Sequence, residues 1–484
     1  MRFEGELADR AVAVASGLGA TYADARIVDM ESQHLRVRNG DVEAVRSSTS
    51  IGIGVRVIAD GCWGFAATDR VTASGVEAAA RLAVDVARSG TPLAKAPVRL
   101  APVEPVVAEW ATPFEEDPFT ISLEEKLDPL VAATVSMLGV SGVSIAEASS
   151  DAWSRASLFV SSEGARIGQR IVQCGGGIEA TAVGGDEVQN RSYPNSFGGD
   201  FGAEGWELLR RIDLPGNATR VAEEAVQLLA ADPCPADVTT VVLDGSQVAL
   251  QVHESIGHPI ELDRVLGMEA AYAGTSFLTP DDMGRLTYGS KALNVVADAT
   301  TPGALGTFGY DDEGVPATST PIVTEGQFAG FLTSRETAAE LGLPASGATV
   351  RAESWAHLPL IRMTNVSLQP GEAASVDELL DGVKSGVFLQ TNRSWSIDDR
   401  RVDFQFGCEW GREIKDGALG RVLRNGTYAG RTVPFWSSLD AVGGPPLWKA
   451  WGLPNCGKGQ PGQIGYVAHG AAPSRFRDVQ VGST

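Results

Sequence analysis

The sequence predicts an α+β protein. An N-terminal mixed α/β part with an antiparallel sheet and helices precedes a C-terminal, mostly antiparallel β-domain that carries one functional helix. Three observations lead there. Asn39-Gly40 and Asp60-Gly61 punctuate alternating apolar residues, which is a hairpin signal. Two alanine-rich stretches near the N-terminus have helical periodicity. After residue 265 that periodicity fades, apart from Ser334 to Leu341, and short strands with glycine-rich turns are expected; 56 glycines in 484 residues support many turns.

Taken in order, residues 5–19 read as a first helix. Leu35, Val37 and Val42 alternate around the Asn39-Gly40 turn. Ile51, Ile53, Val55 and Val57 alternate as the next strand, and residues 74–89 read as a second helix. Six prolines between 91 and 118 predict an extended connector. Ser122 and Glu125 form a capping-box pair for a helix running to about 138. Strand-like, glycine-rich segments fill 141–200, and a helix over roughly 217–231 aligns Val221, Ala225 and Leu228. Ala231-Asp232-Pro233-Cys234-Pro235 is the clearest boundary, dividing the chain into 1–232 and 233–484; the connector near 91–118 offers a further division of the first part. The second part opens on a strand that turns at Asp244-Gly245. Ser246 is placed to cap the next helix, whose buried stripe is Val248, Val252 and Ile256.

Composition excludes some functions. With 39 basic and 61 acidic residues the formal charge is −22, which repels phosphate backbones and anionic lipid, so neither nucleic acid nor a membrane surface is an expected partner. No apolar run approaches 18 residues, and the first residues lack a basic segment ahead of an apolar one. Five cysteines, widely spaced and without a CxxC pair, predict reduced thiols in a cytoplasmic protein.

The chemistry concentrates in His253-Glu254-Ser255-Ile256-Gly257-His258, which holds two of only five histidines. The pattern is one residue longer than the HExxH of zinc peptidases. In a regular helix, positions i and i+5 point about 140° apart, so the two imidazoles share a metal only if the helix widens or ends. Gly257 makes distortion cheap, and Pro259 disfavours helical geometry at His258, so the helix is expected to break between the two histidines. A hydrolytic zinc usually has three protein ligands and one open position, and Glu254 is the natural general base. Cys456, Cys408, Glu261, Asp263, His357 and His469 are candidates for the third ligand. Cys456 stands out because the stretch Asn455 to Gln460 is a glycine-rich loop in which Lys458 would favour a thiolate.

The chain also resembles the TldD/PmbA family of metallopeptidases, in particular its TldD branch. The resemblance is carried by YADARIV (22–28), GIGVRVIADGCWGFAATD (52–69), the HExxxH segment, GTFGYDDEGVPATSTPIVTEGQFAGFLTSRETAAELG (306–342), LPLIRMTNVSLQPG (358–371) and NCGKGQ (455–460). It implies one Zn(2+) per chain held by His253, His258 and Cys456, with Glu254 as catalytic base. It further implies hydrolysis of short or unfolded peptides in an enclosed cavity, or processing of modified peptide precursors. The implied assembly is a homodimer, or a heterodimer with a homologous PmbA-type subunit. Pro259-Ile260-Glu261 departs from the family's small residues after the second histidine without removing a ligand.

Other residues carry two readings. The acidic turn at Tyr310, Asp311, Asp312 and Glu313 is a solvated turn by itself; with the resemblance, it could orient a ligand histidine or hold a substrate amine. Arg362 and Asn365 could bind a peptide carboxylate, although bracing the sheet is the expected role. His357 and Tyr310 are conceivable oxyanion donors. Trp395, Trp410 and Trp451 are expected in a core or interface. The reading that results is a zinc-dependent peptidase; the alternative is a non-catalytic peptide-binding subunit with a structural metal.

Overall fold

The computed structural model describes residues 5–272 and 274–483. Both predicted tight turns form, with positive φ at Asn39 (53°), Gly40 (84°), Asp60 (51°) and Gly61 (78°). They connect the long strand Tyr22–Arg38 to Asp41–Ala59, and that strand to Cys62–Thr68. A second hairpin, Val143–Ser161 with Arg166–Gly184, adds to the free side of Tyr22–Arg38 and completes a broad antiparallel sheet. The proline-rich connector is only partly coil, because Val107–Ala111 runs parallel to Arg166–Gly184 as a further strand.

Small residues set how closely the helices lie. Helices Gly5–Gly17 and Ala73–Gly90 bury Ala8, Ala11, Ala15, Ala79, Ala80 and Ala83 against Ile53, Val55 and Val57. Gly64 belongs to this contact, since a Cβ there would stand 2.0 Å from the Ala83 carbonyl oxygen. Helices Leu123–Leu138 and Leu214–Leu229 cover the other end of the sheet. The first starts where expected, with the Ser122 hydroxyl accepting the Glu125 N–H at 3.1 Å. The second starts earlier than the apolar stripe suggests, because Asp213 accepts the Gly216 N–H and Pro215 occupies the first turn.

Beyond residue 265 the expectation of short strands holds as far as Val366–Leu368 and is corrected after it. Ser385–Ile397 and Asp403–Lys415 are 13 residues each and pair as a hairpin. Ser385–Ile397 also runs parallel to Asp237–Leu243, which pairs with Ser474–Ser483; that strand pairs with Gly426–Arg431, and Gly426–Arg431 returns to Asp403–Lys415. The five strands therefore close on themselves and leave no free edge within the ring. Phe404, Phe406, Tyr428, Phe435 and Phe476 are buried within this core. The whole is α+β with mostly antiparallel sheets, as the sequence predicts.

The helix Gly245–Val252 follows the strand Asp237–Leu243 directly and is buried along its whole length. Its cap is Asp244, not Ser246: the Asp244 carboxylate accepts the Gln247 N–H at 3.0 Å and the Ser246 hydroxyl at 2.9 Å. A carboxylate at the N-terminus of a helix is favoured by the helix dipole.

Candidate metal centre

The HExxxH helix widens instead of breaking. Residues His253–Gly257 form a π-turn in which the His258 N–H donates to the His253 carbonyl at 3.1 Å. His258 keeps helical geometry (φ −67°, ψ −42°) despite the proline that follows. With roughly 4.4 residues per turn, five residues advance the side chain only about 50° past a full turn, so the two rings face each other. Their centroids are 4.8 Å apart.

Local contacts account for the widening. The Ser255 hydroxyl donates to the Gln251 carbonyl at 2.6 Å, taking an acceptor that an α-helix would use for its own ladder. Trp436 Nε1 donates to the same hydroxyl, and the Tyr288 hydroxyl donates to the Ser255 carbonyl. Gly257 is required for packing and not for a positive φ: a Cβ would stand 2.1 Å from the Met363 sulfur.

His253, His258 and Cys456 bring one potential ligand atom each within 4.8 Å of one another, and all three are buried. Surrounding acceptors determine which ring nitrogens are free. His469 Nδ1 lies 2.7 Å from the Val366 carbonyl, which only accepts, so Nδ1 carries the proton. His469 Nε2 is then an acceptor, and His253 Nδ1, 2.8 Å away, must donate to it. His253 Nε2 is left with its lone pair. His258 Nδ1 donates to Glu261 Oε2 at 3.0 Å, leaving Nε2 of that ring free as well. Burial holds both imidazoles below their ordinary pKa, which keeps them neutral and able to ligate.

Cys456 sits in a strand, Lys449–Lys458, opposite Gly465 of Gln463–Ala471, and not in the loop predicted from its glycines. Burial alone would raise its thiol, but Arg362 and His258 beside it hold it below the ordinary value. Arg362, not Lys458, is therefore the nearby cation that matters most for the sulfur. Lys458 Nζ instead binds Asp263 at 2.7 Å, the Ile361 carbonyl at 2.8 Å and Glu261 at 3.2 Å. Glu261 lies well below the usual carboxylate range: burial opposes this, and Lys458 and His258 outweigh the burial. Two neutral imidazoles, each held by an outer partner, and a favoured thiolate form a donor set that fits zinc.

Glu254, between the two histidines, has Arg401 Nη1 2.5 Å from Oε2. Arg401 lies on the turn between Ser385–Ile397 and Asp403–Lys415 in the left-handed region (φ 66°). The Asp398 carboxylate holds this turn by accepting the N–H groups of Arg400, Val402 and Asp403.

The remaining sequence candidates lie elsewhere. Asp312 binds Arg26 and Arg155, and Glu313 binds Arg56, so the acidic turn bridges to the first sheet through buried ion pairs. Asp311 accepts three backbone N–H groups, from Glu313, Val315 and Val350. The Tyr310 backbone binds the Gln169 side chain, and His357 Nδ1 lies beside the Ser354 hydroxyl. None of these is hydrogen-bonded to the two histidines. Arg362 donates to the Cys456 and Gln463 carbonyls. Asn365 donates to the Asp298 carbonyl and accepts the Gly306 N–H, which braces the strands. Cys408 is buried on the strand Asp403–Lys415 of the closed sheet. Trp410 is buried in the core, whereas Trp395 is 44% exposed and lies outside it. Sequence reasoning missed Arg401, for which no pattern exists. His469 was expected only as a rival for the third ligand position, whereas it is the hydrogen-bond partner that orients His253.

A buried two-histidine, one-cysteine cluster with a carboxylate between the histidines, on a β-rich scaffold, has the form of a metalloenzyme centre. The chain belongs to the PmbA/TldD family of metallopeptidases. The PmbA/TldA metallopeptidase C-terminal domain matches residues 236–483, domain 1 of that family matches 23–87, and its central domain matches 116–231. A metalloprotease of Methanocaldococcus jannaschii is 30% identical over 87% of this chain and 89% of its own. A zinc metalloprotease TldD homolog of Saccharolobus solfataricus is 27% identical over 50% of this chain and 51% of its own. The crystal structure of TldE from Thermococcus kodakarensis shares the fold with a TM-score of 0.70 at 14% identity, covering 98% of this chain and all of that one.

Proposed function

We propose that this metallopeptidase is a zinc enzyme in which His253, His258 and Cys456 hold one ion per chain and Glu254 is the general base. The observation that carries the reading is the π-turn, which turns two histidines five residues apart toward one thiol while outer partners leave one lone pair free on each ring. Bound there, zinc would act as a Lewis acid toward a peptide carbonyl and lower the pKa of the attacking water. Glu254 takes a proton from that water and returns it to the leaving amine. Arg401 holds the carboxylate in place, and the buried setting keeps bulk water away from the reacting groups. A purely structural metal would need no carboxylate between its ligands, which favours the enzyme over the binding subunit.

The proposed substrates are short or unfolded peptides, and the proposed assembly is a dimer with a second copy or a PmbA-type subunit. The free thiols fit a cytoplasmic setting, and among the described residues no helix is long and apolar enough to cross a membrane. The division at 232/233 is proposed on the same footing. The test is Glu254→Gln, assayed on a peptide pool with metal measured by elemental analysis. About one zinc per chain with cleavage abolished supports the mechanism; cleavage at the wild-type rate rejects it.

A further inference from the structure

The charges of Arg351 and Arg362 are not used up by the metal centre. Arg351 donates to the carbonyls of Tyr466 and Met363, and Arg362 to those of Cys456 and Gln463. Among the described residues neither guanidinium has a carboxylate partner, and the Nε–H of each is buried without an acceptor. Carbonyls orient a guanidinium but leave its charge uncompensated, which is costly in a buried setting. The Cys456 thiolate offsets at most one of the two charges.

Both arginines line a cavity of about 240 Å³ between the two halves of the chain. Arg155 lines it too, with its own charge already matched by Asp312 at 3.0 Å. Trp153 and Tyr466, with ring centroids 4.7 Å apart, and Phe308 supply apolar wall. Two acids also reach the cavity. Glu353 already accepts the Ile464 N–H at 2.6 Å, and Glu31 is exposed at the mouth. The floor includes Gly465, where a Cβ would stand 2.5 Å from Arg362 Nη2, so only glycine lets the guanidinium lie flat there. Gly465 pairs with Cys456 across the hairpin, so the cavity adjoins the strand that carries a ligand residue.

We propose that this cavity binds a carboxylate of the peptide substrate, with Arg351 as the principal cation and Arg362 shared with the thiolate. The inference rests on the peptidase reading and specifies its substrate class: peptides that present a carboxylate close to the cleaved bond. Paired guanidinium N–H donors match carboxylate geometry, and the aromatic wall accommodates the adjoining side chain. The carboxylate can be a chain terminus or an acidic side chain.

The full chain carrying Glu254→Gln permits binding to be measured without turnover. Calorimetric titration would compare acetyl-tetra-alanine with a free C-terminus, its amide, and the amide with aspartate as the last residue. The free acid, the aspartyl amide or both should bind about tenfold tighter than the plain amide, and the pattern identifies the source of the carboxylate. Arg351→Gln should remove that advantage, as should Ser48→Phe, which fills the cavity from an exposed strand and keeps the test valid if the arginine variant fails to fold. Equal binding of all three peptides overturns the proposal, as does an advantage that survives both substitutions. Failure of the peptidase reading shows separately, as cleavage by the Glu254→Gln protein.

Discussion

Nδ1 of His253 lies 2.8 Å from Nε2 of His469, whose own Nδ1 lies 2.7 Å from the Val366 carbonyl. A backbone carbonyl thus sets the tautomer of one histidine, and that histidine sets the tautomer of the next. The lone pair left free on His253 Nε2 is fixed at a distance by a carbonyl from another part of the chain. Removing the relay should leave His253 free to rotate and to protonate on the wrong nitrogen. His469→Ala is therefore expected to weaken zinc binding about 10- to 100-fold, measured by chelator competition, with the ligand set intact. Unchanged affinity would mean that packing alone orients His253.

Arg401 bears on Glu254 in a comparable way. Its left-handed backbone tolerates asparagine, so Arg401→Asn removes the guanidinium with little backbone strain. The expected result is a kcat about ten- to a hundredfold lower, a KM changed much less, and full zinc content. A fall in zinc content equal to the fall in rate would instead assign Arg401 to the stability of the site.

Gly257 tests the π-turn itself. A methyl at this position meets Met363 Sδ at 2.1 Å, so either the sulfur or the turn must move. Gly257→Ala should cost about 1–3 kcal/mol and weaken zinc binding, read by thermal unfolding and metal titration. Met363→Ala in the same chain should restore part of the zinc affinity, because it opens the space. Absence of any rescue would place the requirement for glycine in the backbone.

The parts of the fold that were legible in the sequence are those governed by local chemistry. Asn39-Gly40 and Asp60-Gly61 dictate their turns, Ser122 caps its helix, and alternating residues mark the strands of the first sheet. The His-Glu-His spacing pointed to a distorted helix, but its direction of distortion was not readable. Whether such a helix breaks or widens depends on Trp436, Tyr288 and Met363, which lie 33 to 181 residues away in sequence. The closed five-stranded ring was equally hidden, since Asp237–Leu243 finds its partners at 385–397 and 474–483. The acidic turn at 311–313 looked exposed because nothing nearby in sequence neutralises it, while its arginines come from strands 157 to 286 residues earlier.

That turn gives a stability prediction. Asp312 accepts from Arg26 at 3.1 Å, from Arg155 at 3.0 Å and from the Ala352 N–H at 2.7 Å. Burial raises the cost of its charge, yet the two arginines hold its carboxyl below the ordinary value. Asp312→Ala leaves the buried Arg26 and the half-buried Arg155 without their carboxylate and should cost about 3 kcal/mol. Limited proteolysis and thermal unfolding would detect it as loosening between the N-terminal sheet and the C-terminal half; a midpoint within a degree of wild type would rule out this bridge as a major contributor.

A second bridge between the halves responds to pH. Glu409 lies on the strand Asp403–Lys415 and is 2% exposed. It accepts the Ser192 N–H at 2.8 Å and the Ser192 hydroxyl at 2.7 Å, with Arg191 Nη1 at 3.4 Å. Burial pushes its carboxyl up to about 7, and Arg191 only partly opposes this. Between the ordinary value of 4.5 and about 7, the folded chain keeps a proton that the unfolded chain releases. The contribution to stability is full below the ordinary value and is lost as pH rises through 7, by at most about 3 kcal/mol. Glu409→Gln carries no ionisable proton at this position and lacks this loss. The unfolding midpoint of wild type should therefore fall relative to that of the variant by several degrees between pH 5 and pH 8. Parallel midpoints across that range would show that Arg191 and the Ser192 donors hold Glu409 ionised in the folded chain throughout.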